Sequence, residues 1–295
     1  MHQPLNMPAC GTVIGSARTT VHPRAARRSK LVLAVGVGLI AAAGTCAAQG
    51  KVTIGGAGSM VPAMQELARA FEAKYGPQGI EIMAGSLGSG GGIKGTEAGR
   101  LAIGLTGRAL RDSEKGLVYR QLAAMPVVVA VHGDLKVSGV SSAQLCGIYS
   151  GTVKSWKQVG GPDMSIVPLT RNEDDSDKEA LREHVACYKT LKESGDVVVL
   201  SSGSGMTSAL GSRPAAIGLT NYDAVLRAQG RLKAIAIDGI QPAAETVATG
   251  KYPIVKDFAV VTRGEPQGVA RSFIDFIAGP EGHRIMTSFG LVPRR

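Results

Sequence analysis

The sequence predicts an α/β protein built as two lobes, and three observations carry the prediction. Short β-rich runs alternate with amphipathic helical runs from Lys51 onward. Glycine, at 40 of 295 residues, gathers in the turns between those runs without a three-residue period, which excludes a collagen-like chain and argues against a simple helical bundle. Beyond Gly133 the strand-and-helix pattern restarts with a different rhythm. At 44% hydrophobic and 19% charged residues the chain can bury one large core or two modest ones, which excludes disorder throughout.

The elements follow in order. Residues 51–54 are β-rich, residues 55–59 form a Gly-Gly-Ala-Gly-Ser turn, and the helix after it presents Met64, Leu67, Ala68 and Phe71 on one face. A second unit repeats this with a strand at 80–83, a glycine-rich turn at 85–92 and a short helix from Ile93. A third strand at 101–105 ends in Thr106-Gly107-Arg108, and a buried fourth spans 126–131. Strands and helices at this spacing predict a mostly parallel sheet covered on both faces. Past Gly133, Ser141-Ser142 starts a helix carrying Leu145 and Ile148, a loop holds Trp156, and a strand spans 166–169. Ser176 with Glu179 reads as a capping box for a helix through Leu181 to about Tyr188. Further strands at 197–200, 216–219 and 234–237 give this region a sheet of its own. With no repeat and no low-complexity linker, the crossings between lobes are expected to be strands.

The net charge of +10 is misleading, because Arg18, Arg24, Arg27, Arg28 and Lys30 lie in the first 48 residues with no acid among them. The remainder holds 28 basic and 23 acidic residues, a mild excess without a basic run or interleaved aromatics, which argues against nucleic-acid binding. Residues 1–48 read as a secretory signal peptide: a basic stretch, an apolar run from 31 to about 43, and a small-residue end at Ala48. The apolar run is shorter than the roughly 20 residues a membrane span needs. The expected compartment is the periplasm. A lipid anchor on Cys46 is disfavoured because Thr45 precedes it, and translation is expected to start at Met7 or later. Cys10 and Cys46 fall in the leader, leaving Cys146 and Cys187, which form either a disulfide or two free thiols.

Three turns deliver the chain into helices at Gly58-Ser59-Met60, Gly88-Ser89-Gly90 and Asp175-Ser176-Asp177. A helix N-terminus exposes unpaired N–H groups and positive potential, so converging N-termini make an anion site. A dinucleotide-binding turn is excluded by Val61, which stands where the third glycine would be. His132, His184 and His283 lack metal-ligand spacing, and the acids at 173–177 lack the calcium-loop glycine. Ser202-Gly203-Ser204-Gly205 has the wrong order for a nucleophile elbow. A non-enzymatic protein without cofactor or metal is the expectation.

Several motifs in sequence order resemble the substrate-binding proteins of phosphate ABC importers: residues 56–59 (Gly-Ala-Gly-Ser), 88–94, 103–108, 148–151 with Trp156, 216–218, 250–253 and 280–282. The resemblance covers essentially the whole region after the leader. It implies a type II periplasmic-binding-protein fold, with two α/β lobes joined by two crossing strands and a ligand cleft between them. Lobe I would be 51–125 plus 256–295, and lobe II 126–255. The implied ligand is phosphate or a similar oxyanion, met by Gly58, Ser59, Met60, Gly88, Ser89, Gly90, Thr106 and Arg108 from lobe I. Arg171, Asp175, Ser176 and Asp177 would meet it from lobe II. A monomer serving an ABC permease or a periplasmic sensor is implied, with a phosphoester hydrolase using the same site as the alternative. The chain departs from the family where Asp175-Ser176-Asp177 replaces Ser-Gly-Thr, a pattern similar to that of a variant subgroup, and where Gly107 replaces an acceptor aspartate. Two carboxylates facing the cleft are expected to disfavour fully deprotonated anions.

Overall fold

The computed structural model describes residues 51–294. The expected signal peptide, its expected cleavage at Ala48 and the expected absence of lipid on Cys46 concern residues outside those described. The first half runs β1 (Val52–Gly56), α1 (Val61–Tyr75), β2 (Ile80–Ser86), α2 (Gly88–Glu97), β3 (Ile103–Thr106) and β4 (Val118–His132). There follow β5 (Gly139–Val140), α3 (Ser142–Ser150), β6 (Val167–Arg171), α4 (Ser176–His184), β7 (Val198–Leu200), α5 (Gly203–Ser212) and β8 (Ala216–Asn221). The chain ends with α6 (Tyr222–Arg227), β9 (Leu232–Ala234), β10 (Ala236–Ile237), α7 (Ala244–Ala248), β11 (Val255–Thr262), α8 (Gly268–Ile277), α9 (Pro280–Ser288) and β12 (Val292–Pro293). None of the described helices is long and apolar enough to cross a membrane.

Hydrophobic burial divides at the two long strands. One core is built from residues between Val52 and Met125 together with residues between Phe258 and Leu291. Phe71 packs there against Phe273 and Phe276, with ring centroids 5.3 and 5.4 Å apart. Two further clusters use only residues between Val127 and Ile254. In that region the large polar aromatics are buried without loss of hydrogen bonding, as burial of an unpaired donor would cost heavily. Trp156 Nε1 donates to Ala215 O at 2.9 Å, Tyr149 OH to Leu169 O at 2.9 Å and Tyr252 OH to Val127 O at 2.8 Å.

The main sheet follows the order β2-β1-β3-β11-β4-β8-β6-β7. It is mixed, where the sequence predicts mostly parallel pairing. β1, β2 and β3 pair in parallel, as do β6, β7 and β8. β11, however, is antiparallel to both β3 and β4, and β4 is antiparallel to β8. The antiparallel pairs arise because β4 and β11 are the two crossing strands. β4 pairs β11 from Val118 to Pro126 and then β8 from Val127 to Val131. At 15 residues it is two and a half times as long as the six-residue run 126–131 suggests.

Cys146 and Cys187 are disulfide-bonded with Cα atoms 6.2 Å apart, tying α3 to the turn after α4. The capping-box reading of Ser176 is corrected by one residue. Asp175 is the N-cap, its side chain accepting from the Asp177 amide, because an aspartate one residue earlier outcompetes the serine for the first free N–H. Ser141 caps α3 through a true capping box with Gln144.

Candidate anion-binding site

The site is assembled where β1, β3, β11 and α4 meet. Close approach of α2 to the sheet needs glycine at Gly92, where a Cβ would sit 2.5 Å from Leu105 O and 3.0 Å from the Gly56 Cα. This packing sets the start of α2, and Ser89 Oγ there accepts the Gly107 amide at 2.9 Å. Gly107 abuts the second half directly: a Cβ on it would lie 2.7 Å from Ser176 Oγ and 3.3 Å from Lys256 Cδ. The first residue of α4, the loop after β3 and the start of β11 thus share one small space.

Lys256 stands at its centre. The Lys256 Nζ donates to Ser59 Oγ at 2.9 Å and pairs with Asp177 Oδ1, while Asn221 Nδ2 approaches Asp177 Oδ2 at 3.5 Å. Asp177, Asn221 and Lys256 are all buried. Burial pushes the Asp177 carboxyl up from the usual carboxylate range, and the Lys256 ammonium partly offsets that push. Next to it, Arg171 at the end of β6 donates to Asp175 at 2.6 Å and to Leu200 O at 2.9 Å. The site therefore holds two cations and two carboxylates, each cation already paired. Glu173, the next acid in the run, is taken by Lys178 at 2.7 Å and Arg182 at 2.8 Å.

The sequence-predicted residues separate into two groups. Ser59, Ser89, Arg171, Asp175, Ser176 and Asp177 are linked through Gly107 and Lys256 as described. Arg108 is engaged elsewhere, its two terminal nitrogens gripping Glu114 at 2.8 and 2.7 Å, which holds the Glu114 carboxyl down at about 2. Thr106 turns back on the loop, donating to Arg108 O at 2.8 Å. Met60 is fully buried in the first core, and its amide donates to Ala57 O at 3.0 Å. The Gly58 and Gly88 amides both donate to Ser86 Oγ, at 3.1 and 3.3 Å, so the backbone groups that glycine was expected to offer are already used. Gly90, in the first turn of α2, faces open space. Lys256 and Asn221 are the residues that sequence reading missed. The available signal was a Lys-Asp pair inside the apolar run from Tyr252 to Val261, where the alternation of β11 turns Lys256 inward.

Two α/β lobes spanned by two crossing strands, with helix N-termini and buried charges at the junction, define a type II periplasmic-binding-protein architecture. The chain belongs to the PBP superfamily, whose PBP_like_2 domain model matches residues 41–281. It is 29% identical over 252 residues to the phosphate-binding protein PstS of Bacillus subtilis, an alignment covering 83% of this chain and 81% of that protein. A solved structure from Clostridium perfringens, described as a phosphate ABC transporter substrate-binding protein with bound phosphate, superposes with a TM-score of 0.75 at 27% identity. It covers 83% of this chain and 100% of the other. An ABC-type phosphate transport receptor from Vibrio cholerae shares the fold at a TM-score of 0.63 and 23% identity, covering 82% and 99%.

Proposed function

We propose that this chain is an exported solute-binding protein that captures phosphate, or a close oxyanion analogue, and delivers it to an ABC permease. The observation that carries this reading is the meeting of Ser59, Ser176 and the Lys256 ammonium beside the N-terminus of α4. Hydroxyls and a buried cation at a helix N-terminus suit a tetrahedral anion. The likeness to the Bacillus and Clostridium proteins, named for phosphate binding, supports the same ligand. Lobe I would be 51–125 with 256–295 and lobe II 126–255, with β4 and β11 as the hinge at Pro126 and Val255, which face each other in the ladder. Ser176 already lies against Gly107, so opening about such a hinge would part them and give a ligand access.

The hydrolase alternative gains no comparable support. Ser59 Oγ faces an ammonium and Ser89 Oγ accepts a backbone N–H, so neither hydroxyl is poised against a general base. Thermal-shift and calorimetric titration with phosphate, sulfate, molybdate and phosphonates tests the proposal. Saturable one-to-one phosphate binding with a rise in melting temperature is expected. Absence of any oxyanion response would refute it.

A further inference from the structure

Among the described residues, an incoming oxyanion meets no free positive charge at this junction. Arg171 is held by Asp175, and the Asp177 amide, one of the donors that the N-terminus of α4 would offer, is taken by Asp175 Oδ1 at 3.0 Å. The Asp177 side chain, by contrast, makes the contacts of a bound anion. One of its oxygens lies on the Lys256 ammonium and the other faces the Asn221 amide nitrogen at 3.5 Å. Lys256 donates in addition to Ser59 Oγ, from the other core. A second, separate observation marks the place as a ligand seat: Asn221, only 3% exposed, carries a buried Oδ1 with no hydrogen-bond partner among the described residues. A buried acceptor left without a donor is costly in a folded protein unless something supplies the hydrogen. Its orientation is fixed by the carboxylate beside it, since turning the amide would set Oδ1 against Asp177.

Building on the anion-capture reading, we propose that Lys256 is the cation that receives the ligand and that the Asp177 carboxylate occupies the ligand's seat in the free protein. Capture is then an exchange of one anion for another. Asp177 leaves the ammonium, and two oxygens of the ligand take its place on Lys256 Nζ and Ser59 Oγ. A hydroxyl of the ligand donates to Asn221 Oδ1. The ligand class is therefore a tetrahedral oxyanion bearing at least one O–H, such as hydrogen phosphate, in preference to one bearing none, such as sulfate. The other charges facing Lys256 are balanced within the fold. Asp175 is paired with Arg171, and the buried Asp223 after β8 is paired with Arg227 at 2.8 Å, so Asp177 is the carboxylate that Lys256 has to give up.

A buried ion pair that merely fastened the two halves would make a different prediction, because removing either partner would then loosen the closed form and weaken binding alike. Exchange gives the two partners opposite signs. Calorimetry with inorganic phosphate at pH 7.5 should show Asp177→Asn binding at least tenfold more tightly than wild type, and Lys256→Met at least tenfold more weakly. The double variant strands no buried charge, so it keeps the test available should Lys256→Met fail to fold, and it too should bind weakly. Equal or weaker binding by Asp177→Asn overturns the exchange, as does wild-type affinity in the Lys256→Met or double variant. Asn221→Leu should bring the affinities for phosphate and sulfate closer together, and an unchanged ratio removes the hydroxyl-reading role. If wild type and Asp177→Asn both ignore phosphate, sulfate and molybdate, the capture reading itself fails. Phosphate binding by wild type with no effect of these substitutions sinks the exchange alone.

Discussion

Arg171 and Asp175 form an ion pair at 2.6 Å, with side chains 7% and 20% exposed, and the same carboxylate caps α4 through its other oxygen. One side chain thus neutralises an arginine and supplies a helix start. The two roles separate by substitution. Asp175→Asn keeps a capping oxygen but removes the charge beside a largely buried guanidinium, and should lower unfolding free energy by about 2–3 kcal/mol. Asp175→Ala loses the cap as well and should lower it by about 1 kcal/mol more. Urea denaturation measures both, and equal losses in the two variants would show that the cap contributes nothing.

Glu114 gives a pH signature. Arg108 holds its carboxyl down at about 2 from an ordinary 4.5, so the folded chain binds fewer protons than the unfolded chain between those values. The contribution is fully present above pH 4.5 and lost as pH falls toward 2. Glu114→Gln should therefore melt below wild type at pH 7, with the gap closing over that acidic window. A gap that stayed constant from pH 7 to pH 3 would assign the loss to packing.

The disulfide closes a loop of 41 residues, for which chain-entropy reasoning gives about 4 kcal/mol of stabilisation. Reduction, or the Cys146→Ala and Cys187→Ala double substitution, should lower the urea midpoint accordingly. A loss under about 1 kcal/mol would mean that the unfolded chain gains little freedom without the bridge.

Two glycines of α2 make a paired control. A methyl group at Gly92 would press on Leu105 O and the Gly56 Cα, whereas one at Gly90 meets open space. Gly92→Ala should destabilise by about 2–3 kcal/mol and, by moving the start of α2, weaken phosphate binding. Gly90→Ala should leave stability unchanged or slightly raised, since alanine is the better helix former. Equal melting temperatures would show that α2 does not depend on this close approach.

Where the fold could be read from sequence, glycine made it readable. Turns at 55–59 and 85–92 announced β1, β2 and the helices after them, because such turns are local. β4 was half missed because its first stretch carries Arg120 and Gln121 and its ladder with β11 is interrupted at Phe258 and Ala259, which breaks simple alternation. Lys256-Asp257 hid β11 in the same way, since two charges inside an apolar run read as surface. Asp175 and Asp177 stood out as departures from the family pattern. Their partners did not: the cation for Asp177 lies 79 positions away along the chain, a distance over which local pattern carries no information. The disulfide was open for the same reason.

The place of β11 between β3 and β4 has a further consequence for the entropy of closing the first core. β3 and β4 precede the second core along the chain, whereas β11, which joins them, follows it, as do α8 and α9, which complete the first core. The second core draws only on residues between Val127 and Ile254 and needs none of these elements. The first core is therefore discontinuous in sequence, and closing it costs the entropy of a loop that contains the whole of the second core. Folding of the second core shortens that loop, because it holds Val127 against Ile254, with the Val127 amide donating to Ile254 O at 2.9 Å.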